Sequence, residues 1–388
     1  MPRVSFPIHT LLIHAPIVLL SVILLIHPKK LPSIIKRIIG LPLLVAEIYI
    51  GSTYYSKCYG FDLLYTTIAI VTTLRFFDFY FFTSLLNGKN VYVTTADLKA
   101  ELWQPVRYRA IEKKKSENGG NHQSNGTNGN ASPKMIVSSF TLLPPAFLFL
   151  FISDCINYYF HRFTADTLLS LSSVELFIMN LIGGVYICTM MEGASRLGVF
   201  VWTLINDRGV YDKSEWKPLF RHPYLSTSLS DLWSVRWHQT FRVLWVSLAY
   251  VPLKQFISQK LRPLLTKNNN SIASTVVDMM ELAIPAIGVF AISGLIHEYI
   301  VRSAFYSLWI PGQMMMFFVL QAVGVIIEKT YQRLTPGLSR PVWLGRLWTL
   351  LFLYFTLPYF FEPLYKGEAW RVHEELPSVF KAIGLWTK

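Results

Sequence analysis

The chain has 388 residues, of which 52% are hydrophobic, 15% aromatic and only 15% charged, with a mean hydropathy of +0.38. Soluble domains carry about 25% charged residues, so this composition excludes an ordinary water-soluble globule, a disordered chain, a collagen and, with three cysteines, a disulfide scaffold. The net charge of +13 comes without a helix-turn-helix, zinc-finger or RNA-recognition pattern, so it reads as basic loops beside a membrane and not as a nucleic-acid surface.

A bilayer core about 30 Å thick takes about 20 apolar residues per helix. Residues 6–26 form the first such block. They lack a small-residue cleavage site and are followed by further blocks, so they read as a retained helix and not a signal peptide. Blocks at 38–55 and 63–86 follow. Residues 87–135 read as a cytoplasmic loop containing an Asn/Gly-rich tract, 118–132, which can bury nothing and is expected to be disordered. That tract holds glycosylation sequons at Asn125 and Asn130, unused if the loop is cytoplasmic. Then come 136–159, 174–200, a short stretch at 243–256, and 282–301, 305–327 and 342–361. The expected fold is an all-α polytopic membrane protein of about eight or nine transmembrane helices, with residues 1–388 forming one membrane-embedded domain. No internal repeat is visible, which weakens a transporter built on repeated halves.

Cation-rich segments at 29–37, 87–135 and 196–242 share one side if the N-terminus faces the lumen. Lys260, Arg262, Lys267, Lys329, Arg333, Arg340 and Arg346 then fall on the far side, unless a helix is miscounted or one apolar stretch is re-entrant.

Phosphate loops, GxGxxG and the GxSxG elbow are absent. His297-Glu298 starts like a zinc-protease motif, but position 301 is Val; with nine unclustered histidines and no CxxC pair, no metal site is expected. Two stretches carry chemistry. Residues 217–242 (KPLFRHPYLSTSLSDLWSVRWHQTFR) mix cations, hydroxyls, indoles, one acid and two histidines. Ser228 or Ser230 can cap a helix beginning near Leu229. On that helix Asp231 and His238 are expected to share one face, and Trp233 and Trp237 another. The segment is expected to lie at the membrane interface with its indoles at headgroup depth. Residues 291–300 (AISGLIHEYI) place His297 at the end of an apolar span, where an ionisable group is a site by default. Ser293 and Gly294 share its face and are expected to leave room for a substrate, whereas Glu298 points about 100° away. Taken together, the two stretches favour an imidazole that takes a proton from an alcohol as its oxygen attacks a thioester.

Through these residues the chain resembles the wax synthase-like branch of the membrane-bound O-acyltransferase superfamily. Its pattern P-Y-L-x-x-S-L-x-D-F-W-x-x-R-W-[NH], followed by S-G-x-x-H-E, is met by Pro223-Tyr224-Leu225, Ser228-Leu229, Asp231-Leu232-Trp233, Arg236-Trp237-His238, and Ser293-Gly294 with His297-Glu298. Leu232 replaces the usual aromatic, and Ser234-Val235 the usual Gly-Arg. The resemblance implies His297 as general base and places His238 at the polar position of the upstream motif. Asp231, Trp233, Arg236 and Trp237 take the remaining motif positions. It implies acyl-CoA or acetyl-CoA as co-substrate with no bound cofactor, a hydrophobic alcohol as acceptor (fatty alcohol, sterol or hydroxylated terpenoid), membrane lipids as surroundings and the endoplasmic reticulum as location. Arg236 and Arg221 are candidate partners for the coenzyme A phosphates. An acetyltransferase tailoring a secondary metabolite is the alternative. A transporter or an inactive scaffold is the non-enzyme reading; a transporter would need paired ionisable groups, and Glu47, Asp78, Asp154 and Glu192 read as scattered, without basic partners at helical spacing.

Overall fold

The computed structural model describes residues 30–55, 59–82, 136–213, 216, 218–267, 271–305, 309–337, 341–371 and 378–384, with a few positions before residue 30. Most of block 6–26 and all of the 87–135 loop, including the 118–132 tract, lie outside the described residues.

Helix α1 spans Ser33–Thr53, and α2 spans Tyr59–Phe77 with a π-helical end at Asp78–Phe82. They form a hairpin that crosses at a notch: a Cβ on Gly40 would sit 2.2 Å from the Phe76 ring. Strand Val4–Ser5 pairs in parallel with Tyr54–Tyr55. Strand Ile136–Ser138 pairs antiparallel with Val210–Asp212, which brings the start of α3 (Leu143–Phe160) beside the end of α5 (Ser173–Asn206). Pro144 and Pro145 open α3, where proline costs no hydrogen bond. A reciprocal Ser172–Glu175 capping box opens α5. The short α4, Ala165–Leu169, lies between them.

After α5 come a short helix α6, Leu229–Asp231 continued by a π-turn Leu232–Arg236, and α7, residues 242–265, which alternates α and π turns. The remaining elements are α8 (Ser271–Ala304), α9 (Gln313–Leu334), α10 (Val342–Lys366) and the terminal α11 (Val379–Ala382). Among the described residues five helical stretches are long and apolar enough to cross a bilayer: Ser139–Phe160, Ser173–Asn206, Ser271–Ala304, Gln313–Leu334 and Val342–Lys366. The chain is a multi-pass membrane protein. The expected block at 305–327 starts later than its apolar run, because the chain turns after Ala304 and Gly312, at φ 85°, begins α9.

Contacts set the direction of each helix. Arg262 at the end of α7 binds Asp278 near the start of α8, at 2.5 Å. Arg333 near the end of α9 donates to the Asp278 carbonyl at 3.1 Å. At the start of α10, a Cβ on Gly345 would lie 2.2 Å from the Thr227 carbonyl oxygen. The starts of α8 and α10 and the ends of α5, α7 and α9 therefore gather at one end of the bundle. Arg262, Arg333 and Arg346 stand there with residues 206–227, and not on the far side. The re-entrant stretch is 229–265. It goes down from that end through α6, where Trp233 reaches Phe290 and Phe317 at 6.2 and 6.1 Å. It comes back through α7, where Leu253 fills the notch at Gly288. Arg340 lies outside the described residues.

Two intramembrane acids do have basic partners at helical spacing, which corrects the scattered-acid expectation. Arg75 stands 3.9 Å from Asp78, three residues on, and Arg196 stands 2.8 Å from Glu192, four residues back. Asp154 accepts from the backbone N–H of Val379 at 2.9 Å and so holds α11 against α3.

Candidate active site

His297 lies on α8, about two and a half turns below the notch at Gly288. Its Nδ1 is 2.8 Å from the Ser293 carbonyl oxygen. A carbonyl only accepts, so Nδ1 carries the hydrogen and the lone pair of the neutral ring is on Nε2. The imidazole packs on Phe318 of α9 with centroids 4.4 Å apart and faces Phe360 of α10 at 5.8 Å. The candidate base is therefore a single ring in an aromatic wall, with its tautomer set by its own helix.

Gly294 does not provide the room expected of it. A Cβ there would lie 2.8 Å from the Met315 sulfur and 3.2 Å from the Met315 Cα, so this glycine lets α8 and α9 approach closely. Ser293 contributes its carbonyl, as above. Glu298 points away from His297 as the helix geometry requires. It accepts from the Trp309 indole N–H at 2.5 Å and from the Met315 backbone N–H at 3.1 Å, and so fixes the turn between α8 and α9.

The upstream motif packs on α9, the helix that also carries Phe318. Ser228 is the cap: its Oγ accepts from the Asp231 N–H at 2.8 Å. Ser230 instead donates its backbone N–H to Glu328. The helix does not run on to residue 238, as expected from spacing. The π-turn closes with the Trp237 N–H donating to the Leu232 carbonyl at 2.7 Å, and Trp237 is extended, at ψ 156°. Asp231 and His238 consequently share no helical face. Asp231 turns to Arg236, five residues on, at 2.6 Å, a pairing that the wider π winding favours. Arg236 also donates to the carbonyls of Arg221 and His222, both at 3.3 Å, and Arg221 returns its N–H to Arg236 at 2.9 Å. Arg236 is thus engaged by the motif's own backbone, which favours a structural role over the expected one of phosphate partner. Arg236→Ala is expected to destabilise the protein by about 1–3 kcal/mol, because a half-buried carboxylate and two carbonyls lose their donor. The KM for acyl-CoA should stay within about twofold; a rise of tenfold would restore the phosphate role.

Trp233 packs inside the bundle and donates its N–H to Gln321 at 3.1 Å; Gln321, fully buried, in turn donates to Thr356 at 2.9 Å. A relay of rings leads from here to the base. Trp233 meets Trp237 at 5.7 Å and Phe317 at 6.1 Å, and Phe317 meets Phe318 at 5.0 Å. His238 lies against Trp237, Phe220 and Phe241 at 6.0, 5.9 and 5.8 Å. The buried Nδ1 of His238 has no hydrogen-bond partner among the described residues. The two imidazoles thus stand at the ends of one run of aromatic rings, one with its donor satisfied and the other with a polar atom unclaimed.

Four residues that motif spacing missed build this arrangement: Glu328 and Gln321 on α9, Gly345 on α10, and Glu192, which accepts the Leu219 N–H at 3.1 Å on α5. The available signal was a polar side chain in an apolar helix. Among the described residues no group of His, Cys, Asp or Glu is arranged to hold a metal ion.

Residues 216–320 match the model of the membrane bound O-acyl transferase family. The chain is similar to the acetyltransferase eriL of Hericium erinaceus, 24% identical over 164 residues, covering 41% of this chain and 38% of that protein. It is similar to acyl-CoA--sterol O-acyltransferase 1 of Arabidopsis thaliana, 30% identical over 38% of this chain and 39% of the relative. Probable long-chain-alcohol O-fatty-acyltransferase 1 of the same plant is 29% identical over 30% of each. The chain thus matches about two fifths or less of the length of these curated relatives. Residues 216–320, which hold both histidines and the limb between them, are thus the part of the chain that is similar to the membrane bound O-acyl transferase family.

Proposed function

We propose that this protein is an acyl-CoA:alcohol O-acyltransferase that esterifies a hydrophobic alcohol inside the membrane. The observation that carries the reading is the Nδ1–H of His297 held on the Ser293 carbonyl, which leaves Nε2 as a free base in an apolar wall. Nε2 takes the hydroxyl proton as the alcohol oxygen adds to the thioester carbonyl carbon. The resulting tetrahedral adduct collapses with cleavage of the C–S bond. The imidazolium returns its proton to the departing thiolate, so ester and free coenzyme A leave and the base is regenerated. A dry chamber disfavours attack by water.

The unclaimed Nδ1 of His238 supports a role at the donor end, where it meets the thioester or its pantetheine amide. The basic end of the bundle, where residues 221–238 enter, supports entry of coenzyme A from the cytosol. The phenyl rings of Phe317, Phe318 and Phe360 support an acceptor drawn from the lipid phase. Fatty alcohols, sterols and hydroxylated terpenoids all meet that description, as does an acetyl transfer to a secondary metabolite, and the endoplasmic reticulum would supply such acceptors. The domain acts as one membrane-embedded unit.

Membranes containing the protein, supplied with acyl-CoAs from acetyl to long-chain and with each alcohol class, are expected to release coenzyme A thiol only when an alcohol is present. The matching ester should appear by mass. No alcohol-dependent thiol release with any pair would reject the reading in favour of a transporter or scaffold.

A further inference from the structure

A helix start leaves backbone N–H groups without partners. At the top of the descending limb, two of these, on Leu229 and Ser230, are taken by one side chain from another helix. Glu328 Oε1 accepts from Leu229 at 2.6 Å, and Oε2 accepts from Ser230 at 2.9 Å. The Trp348 indole of α10 donates to the same Oε1 at 2.7 Å. Glu328 is 6% exposed. All three of these partners are donors, so the site fits a group that only accepts, a carboxylate. The three helices meet here without slack: a Cβ on Gly324 would lie 2.4 Å from the Leu229 side chain, and one on Gly345 would lie 2.2 Å from the Thr227 carbonyl.

The limb below this clamp is stiff. Ser228 caps it, Arg236 ties its far end to Asp231, and Trp233 is anchored on Gln321. Gln321 and Glu328 are both on α9, seven residues apart, and the same helix carries Phe317 and Phe318 against His297. The height of the limb on α9 therefore sets where Trp237 and His238 stand relative to the base.

We propose that Glu328 is a positioning residue for acyl transfer: by clamping the top of the limb to α9 and α10 it holds His238 in register with His297. This rests on the reading of His297 as the base of that reaction.

The test uses the full chain in membranes, with activity expressed per folded molecule. Glu328→Gln keeps the size but turns an amide N–H toward N–H donors. It is expected to lower kcat by about 100-fold, the effect of a displacement of about 1 Å, with the KM for the alcohol unchanged. Glu328→Asp keeps two acceptor oxygens at shorter reach and is expected to recover part of the loss. In a His238→Ala background, Glu328→Gln should lower kcat by less than about threefold, because the clamp acts through the limb. A Glu328→Gln protein with kcat within about threefold of the parent, or full losses from the two substitutions that multiply, overturns the proposal. If Glu328→Gln does not accumulate, Glu328→Asp is judged by the same double-substitution criterion. His297→Ala separates the two ideas. If that variant is fully active, the reading of His297 as the base is wrong. If it is dead while Glu328→Gln is fully active, only the positioning role is wrong.

Discussion

Alanine at position 297 is expected to lower ester formation by about 100- to 10,000-fold, the usual contribution of a general base. The protein should still insert and accumulate. The ring makes one hydrogen bond, to a carbonyl of its own helix, and alanine returns that carbonyl to the ordinary helix ladder. What is lost structurally is packing against Phe318 and Phe360, at a cost of about 3 kcal/mol or more for a large-to-small change in a packed site. A polytopic bundle tolerates that. Rates from labelled acyl-CoA in isolated membranes, normalised to the amount of protein, separate the chemical loss from any loss of fold. Glutamine at 297 should be as poor as alanine, because an amide has no basic lone pair at neutral pH. Activity near that of the parent in either variant would remove His297 from the chemistry and leave the aromatic wall without a base.

The second large effect is expected at Gly345→Ala, far from either histidine. The new methyl group would fall 2.2 Å from the Thr227 carbonyl oxygen, a backbone atom that cannot rotate away. Either α10 retreats or the entry of the limb shifts. Overpacking costs about 1–3 kcal/mol, visible as a lower Tm in detergent. A limb shifted by about 1 Å would reduce kcat about 100-fold. The KM for the alcohol should hold where the limb shifts, since Phe318 and Phe360 then stay in place. A variant with normal kcat and only a lowered Tm would mean that the limb and the chemistry are mechanically independent.

His297 was conspicuous as one imidazole in an apolar run, and helix spacing correctly turned Glu298 away from it. The bundle's long helices were legible from apolar length. The course of residues 229–265 was not. The returning helix carries Lys254, Lys260 and Arg262, so its apolar run looked too short, and only contacts such as Leu253 in the Gly288 notch identify it. Spacing also assumed 3.6 residues per turn, whereas the π-turn gives Asp231 to Arg236 and frees His238 from the helix. Trp233 was read as an interfacial indole because its buried acceptor, Gln321, lies 88 residues away. Gly294 was read as making space, when Met315 occupies that space. In each case the deciding partner is distant in sequence, and one chain without its fold cannot name it.

The limb that goes down and comes back on one side has a vectorial consequence. It adds no net crossing, so the five long helices alone fix which compartment each connection meets. The strand Ile136–Ser138 precedes the first of them and α11 follows the fifth. An odd number of traverses puts these two segments on opposite faces of the bilayer.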